Sequence, residues 1–261
     1  MFAGLQNKVP PFTLQVGTEK LVRLSGNNSG YKFNSYFMFK KFFQRLKFKM
    51  MAKQLRRPNG AMGSRVGNIM NKANEFLYDF TLSVMQPSSG QSILEIGFGN
   101  GKFFDKFFAK AEGLKVTGLD FSETMFNTAK GNNKGNIESG KLSLHFGSSQ
   151  QMPFPDNSFD KIFCINVIYF WDDPHQHLLE ICRVLKPGGR FYATVRTKES
   201  MLKMPFTQYG FTFYETDKWK LQLTDAKLQF VEERPADEPI IDFDGDKLLV
   251  QSLCVVAEKG N

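Results

Sequence analysis

One stretch, Ile93-Leu-Glu-Ile-Gly-Phe-Gly-Asn-Gly-Lys102, restricts the folds open to this chain more than any other. Apolar residues flank a single carboxylate, Glu95, and glycines then fall at 97, 99 and 101. The pattern predicts a short buried strand, a tight glycine turn, and a helix over Lys102–Ala111. Glycine suits such a turn because it adopts positive φ freely and leaves the backbone bare. A helix that starts there points unpaired N–H groups, and the positive end of its dipole, at whatever lies over the turn. The stretch is suited to holding a nucleotide-like molecule against main chain.

Spacing narrows the choice. A dinucleotide fingerprint runs Gly-x-Gly-x-x-Gly, its third glycine letting the helix pack tightly on the strand. Here the order is Gly97-x-Gly99-x-Gly101, and Lys102 occupies the place of the third fingerprint glycine. Nineteen residues past Gly101 a second apolar run, Lys115-Val-Thr-Gly-Leu-Asp120, ends in a carboxylate able to accept both hydroxyls of a ribose. Downstream stand Gly147-Ser-Ser-Gln-Gln-Met-Pro-Phe154, then Asp156-Asn-Ser-Phe-Asp-Lys-Ile-Phe-Cys-Ile-Asn166, then Leu178-Leu-Glu-Ile-Cys-Arg-Val-Leu-Lys-Pro-Gly-Gly-Arg190. Together the four motifs, in this order, resemble the class I S-adenosylmethionine-dependent methyltransferases, in particular the small-molecule group related to the ubiquinone and menaquinone enzymes. The resemblance runs from about Gln54 to Lys259.

The rest of the chain fits an α/β architecture. Apolar runs predict strands near 92–97, 115–120, 141–147, 159–165 and 190–196, with helices near 100–111, 122–131 and 174–185 between them. Such alternation implies a parallel sheet covered on both faces. Ile69, Met70, Ala73, Phe76, Leu77, Phe80 and Val84 share one face of a helix over 66–85. A helix at Tyr214–Ala226 and strands at Leu228–Glu233 and Leu248–Glu258 follow. The resemblance makes these last strands a hairpin at the sheet edge, the final strand antiparallel. The expected fold is therefore a Rossmann-like, doubly wound, seven-stranded and mostly parallel sheet with an antiparallel edge strand and an N-terminal helical cap.

Charge divides the chain differently. Residues 1–58 hold eight Lys, four Arg and one Glu, a balance of +11, whereas the remainder carries −3, so the net +8 belongs to the N-terminal segment. The domain itself has no basic surplus that would point to nucleic acid. Residues 1–57 read as a basic extension and 58–261 as the methyltransferase domain with its helical cap. Residues 1–30 lack periodicity and read as loop or disorder. Over residues 31–57, Phe39, Phe42, Phe43, Leu46 and Met50 recur at helical spacing among lysines and arginines. Three fates stay open for that helix: docking on the domain, contact with an anionic membrane surface, or an upstream start with the working chain opening at Met51. On the last reading a chain starting at Met51 folds. Cys164, Cys182 and Cys254 are odd in number and lie in apolar runs, and with His145, His175 and His177 they show no zinc spacing. No metal is expected. No run reaches the ~20 apolar residues of a membrane span, and no secretory signal opens the chain, so the expected compartment is the cytoplasm.

By resemblance, the turn Gly97, Phe98, Gly99 and Gly101 faces the amino-acid part of S-adenosylmethionine, with Glu95 supporting it or reaching the ammonium. Asp120 takes the ribose hydroxyls. Phe121 and Met125 flank the adenine, Ser148 stands where many relatives place an acid for its amino group, and the Ser149 N–H or Gln150 supplies the remaining contact. Met152 walls the ring and Asn166 lines the cofactor. The reaction is an in-line displacement, in which the protein chiefly aligns the partners and excludes water. A base is needed only where the acceptor must lose a proton. The catalytic residue is thus unassigned, with Tyr169 as candidate. Arg65, Tyr169, Trp171 and Tyr209 are candidate acceptor contacts. The segments 57–65 and 197–214, the latter rich in Met and Phe, are the candidate covers of an apolar or aromatic acceptor. The alternatives are an adenosylmethionine-binding protein without turnover and an NAD-dependent oxidoreductase.

Overall fold

Two-residue alternation decides how the strands are shared between the faces of the sheet. In β4 (Phe159–Ile165) Ile162 and Cys164 enter one core cluster while Phe163 and Ile165 enter another; Leu94 and Ile96 oppose Ile93 in the same manner. In the computed structural model, which describes residues 29–243 and 245–260, the helices are α1 (Ser29–Arg56), α2 (Gly60–Met85), α3 (Phe104–Phe108), α4 (Glu123–Asn132), α5 (Lys134–Glu138), α6 (Pro174–Val184), α7 (Lys198–Leu202) and α8 (Thr216–Asp225). The strands are β1 (Ser92–Ile96), β2 (Lys115–Asp120), β3 (Leu142–Phe146), β4, β5 (Leu185–Arg196), β6 (Leu228–Asp237), β7 (Ile241–Phe243), β8 (Asp246–Leu248) and β9 (Gln251–Lys259).

Seven strands form one sheet in the order β3-β2-β1-β4-β5-β9-β6. β1 to β5 are parallel, and β9 runs antiparallel to both β5 and β6. This is the expected fold, with the antiparallel strand as the inner member of the edge hairpin. α2 covers one face through Leu77, Tyr78, Leu82 and Met85. α6 and α8 cover the other through Leu178, Ile181, Trp219 and Leu223. Ser122 caps α4 by accepting from the Met125 N–H, and Asp173 caps α6 ahead of Pro174.

Several element boundaries differ from expectation, among them the start of α2 at Gly60 and the end of β6 at Asp237. The helix after the glycine turn shrinks to Phe104–Phe108, because Gly97, Gly99 and Gly101 all take positive φ and the turn consumes the first helical residues. β5 starts at Leu185, pairs once with Phe159, then shifts register so that Lys186–Gly189 bulge out before Arg190 resumes the ladder. The predicted strand 248–258 is split: β7 and β8 make a separate small hairpin, and β9 begins at Gln251.

The chain divides into two units between Phe43 and Gln44. In the first, residues 29–43 are helical and the Phe42 and Phe43 rings meet edge to face at 5.8 Å. The reading of residues 1–30 falls, up to residue 28, outside the described residues. The second unit begins inside α1. Phe48 and Ala52 are buried there, and Met51 and Leu55 pack with Phe48 against Tyr169, Met201, Met204, Phe206 and Val250.

Candidate active site

Strand order reverses between β1 and β4, and the loops leaving the carboxyl ends of β1 to β4 meet at that point, where open α/β sheets bind ligands. A cavity of about 180 Å³ lies there, lined by all four loops together with Leu55, Arg56, Pro58 and Met70 of the cap.

The glycine turn is built tightly on its inner side and openly on its outer side. Gly97 takes φ +78°, and a Cβ there would sit 2.5 Å from Val167 Cγ2. At Gly101, φ +69°, a Cβ would meet Asn133 Nδ2 at 2.7 Å and Ala129 Cβ at 2.8 Å. Gly99, φ +58°, has nothing within 4 Å of a Cβ and borders the cavity. Asparagines brace the turn: Asn132 donates to the Asn100 carbonyl and Asn133 to that of Gly101.

Asp120 ends β2 beneath the cavity. Its Oδ2 accepts from the Gly99 N–H at 2.9 Å and its Oδ1 from the Ser122 N–H at 2.8 Å. Burial pushes its pKa up to about 6, against the opposing pull of those two donors. Each oxygen retains acceptor capacity toward a ligand hydroxyl. Glu95 lies deeper: it accepts from the Tyr78 hydroxyl of α2, and burial pushes its pKa up to about 8. It does not line the cavity, and its hydrogen bond ties β1 to α2.

On the opposite wall, Trp171 and His177 stack nearly parallel with centroids 4.5 Å apart, and His177 Nδ1 shares a 2.7 Å hydrogen bond with Ser149 Oγ. Burial lowers the His177 pKa to about 4, so the ring is neutral near pH 7. Asn166 sits in the left-handed region at φ +56°, a strained position that asparagine tolerates better than most residues. It donates to Asn74 Oδ1 and accepts from the Arg196 N–H. Arg196 in turn makes a buried ion pair with Glu238 and donates to the Ala73 carbonyl, tying β5 to α2. At the mouth, Arg56 pairs with Asp172, Arg57 lies over the Phe121 ring at 5.4 Å, and the Pro58 carbonyl accepts from Ser122 Oγ.

Of the sequence-derived candidates, Gly97, Gly99, Asp120, Phe121, Met125, Ser148, Ser149, Asn166 and Trp171 line this one cavity. Glu95, Phe98, Gly101, Arg65, Tyr169 and Tyr209 do not line it. Phe98 turns inward, packing on Phe104 in the core. Gly101 serves the packing of α4. Arg65 is exposed on α2. Tyr209 packs in the apolar cluster around Phe206. Tyr169 is buried in that cluster and its hydroxyl donates to the Arg196 carbonyl at 2.7 Å. Burial also raises the Tyr169 pKa, so it is wired as a brace and not as a free acid or base. Met152, too, is core, and its N–H donates to Glu180. Sequence reasoning missed Arg56, Asp172 and His177. The consecutive acids Asp172-Asp173 opposite Arg56-Arg57 were the available signal for the first pair; nothing local marked His177 as facing a cavity.

Residues 94–193 match the family described as a methyltransferase domain. The uncharacterized methyltransferase YdaC of Bacillus subtilis is 30% identical over 134 residues, covering 51% of this chain and 72% of that protein. A fatty-acid O-methyltransferase of Mycolicibacterium smegmatis is 26% identical over 173 residues, 66% of this chain and 56% of its own length. The chain spans only 40–44% of the O-methyltransferases of Aspergillus and Pyrenophora that it also matches. Among solved structures, a Haloferax volcanii chain in complex with a methyltransferase activator shares the fold, with a TM-score of 0.64 at 22% identity over 75% of this chain and 94% of that one. The chain belongs to the class I S-adenosylmethionine-dependent methyltransferases.

Proposed function

We propose that this enzyme methylates an apolar small molecule, most simply at an oxygen, with S-adenosylmethionine as donor. The observation that carries the acceptor class is continuity. Leu55 and Phe170 line the cavity and also belong to the apolar cluster of Phe48, Tyr169, Met201, Met204, Phe206 and Phe211. An acceptor reaching the donor from that side meets aromatic and thioether surface, the usual lining of an apolar ligand site. The names of the O-methyltransferase relatives, one of them acting on fatty acids, support the same class.

The residues present fit the donor. Gly99 leaves open the space a side chain would fill, Asp120 keeps acceptor capacity for ribose hydroxyls, Phe121 and Met125 offer apolar walls to an adenine, and Ser148 and Ser149 offer neutral polar contacts. Bound S-adenosylmethionine supplies a methyl group on a sulfonium leaving group. The chain contributes alignment through Asn166 and the glycine turn, and exclusion of water through the cap and the apolar cluster. Burial keeps the His177 ring neutral and makes it a weak proton acceptor near pH 7. Among the described residues no helix is long and apolar enough to cross a membrane. The three free cysteines support a reducing, cytoplasmic setting.

The test has two parts. Calorimetry should show binding of S-adenosylmethionine and of its demethylated product, and none of NAD; NAD binding alone would overturn the reading. Transfer of tritiated methyl to a panel of fatty acids, phenols and polar amines should label the apolar oxygen acceptors. Labelling confined to the polar amines would overturn the acceptor class.

A further inference from the structure

The cap that borders the cavity is cationic over α1 and the first half of α2, its exposed acids Glu75 and Asp79 standing further along α2. From residue 20 to residue 74 the sequence contains thirteen Lys and Arg and no Asp or Glu. In the second unit, Arg45, Lys47, Lys49 and Lys53 of α1 and Arg65 and Lys72 of α2 are exposed. Among the described residues none of these six forms an ion pair. Large apolar side chains stand exposed between them: Leu46 at 43%, Met50 at 45%, Met62 at 51% and Ile69 at 67%. Leu46 and Met50 are one helical turn apart, and Met62 and Ile69 two turns apart, so each pair forms a stripe.

We propose that this surface docks on an anionic lipid bilayer. Cations alone would suit a nucleic acid equally well, but that partner gives no reason to hold four large apolar side chains in water between them. A bilayer takes both: its anionic headgroups attract the lysines and arginines, and the acyl boundary takes up the apolar stripes. The position of the surface fits the partner. The inward face of the same α1 segment, Phe48, Met51 and Leu55, walls the apolar cluster, and Arg56, Pro58 and Met70 border the cavity. A docked cap thus sets the proposed acceptor region close to the acyl layer, from which an apolar acceptor can enter without crossing water. This last step rests on the acceptor class proposed above; the docking does not.

The experiment is sedimentation of the full chain with vesicles of phosphatidylcholine alone, and with vesicles in which about 30% is phosphatidylserine. Binding is expected to the anionic vesicles only, weakening as salt rises. Lys47→Glu with Lys49→Glu should lower partitioning at least about tenfold, and Leu46→Ser with Met50→Ser should lower it by a similar factor. Both double variants should retain wild-type affinity for S-adenosylmethionine, which shows that they fold. Equal binding to neutral and anionic vesicles, or unchanged partitioning of the variants, would overturn the proposal. So would a surface occupied instead by RNA or by a second copy of the chain, read from a competing gel shift and from equilibrium sedimentation without lipid. Docking without methyl transfer from vesicle-held acceptors would retain the docking and reject the acceptor class.

Discussion

Asp120 is expected to make cofactor affinity depend on pH in one direction. Ligand hydroxyls donate to the carboxylate, so the ionised form binds better, and the free-state pKa of about 6 marks where that form is lost. Calorimetry between pH 5 and 8 should find constant affinity above about 6.5 and a fall approaching tenfold per unit below 6. Asp120→Asn should abolish this slope and weaken binding by about 1.5–3 kcal/mol. A flat wild-type profile would remove Asp120 from the site. The glycines of the turn separate in the same manner. Gly99→Ala carries only the left-handed backbone penalty, about 1–2 kcal/mol, but places a methyl in the cavity. Its melting should change little while cofactor binding fails. Gly101→Ala adds steric overlap with Ala129 and Asn133 to the same penalty, roughly 2–5 kcal/mol together, so its loss should be of fold first. What was legible at this scale is what backbone chemistry dictates. A positive-φ glycine or a strand-end acid carries its meaning in local spacing. The inward turn of Phe98, the Tyr169–Arg196 bond and the His177–Trp171 stack depend on what lies across the fold, and no spacing encodes them.

Among the elements, α1 is the one whose role sequence pattern left open. Its second half belongs to the enzyme because Phe48 is buried against α7 and the segment that follows it. A chain starting at Gln44 should therefore melt within a few degrees of the whole protein. A chain starting at Met51 deletes Phe48 and should lose about 1.5–3 kcal/mol, the value of burying such a side chain. Equal melting of the two truncations, followed by circular dichroism, would show that Phe48 contributes nothing. The strands and long helices were legible from alternation and capping. The short elements, α5, α7 and the β7–β8 hairpin, were not, since three to five residues provide too few positions for a period to show. The Arg56–Asp172 pair was hidden for a different reason: its partners are 116 residues apart.

At the scale of the whole molecule, seven strands and their faces follow from hydrophobic patterning, while strand order does not. Family resemblance placed only the last two strands, as a hairpin at the edge, because a parallel crossover looks the same in sequence wherever it lands. One consequence lies in how the sheet is assembled. β6 bonds to the sheet only through β9, and β9 lies between it and β5 although both precede it in the chain. Until residues 251–259 are in place, β5 keeps a bare edge and β6 has nothing to join. The inner strand is a keystone laid last: half-assembled chains expose a hydrogen-bonding edge that invites pairing between copies. Conditions that delay the seating of β9 should therefore govern how much of the protein reaches its native form and how much aggregates.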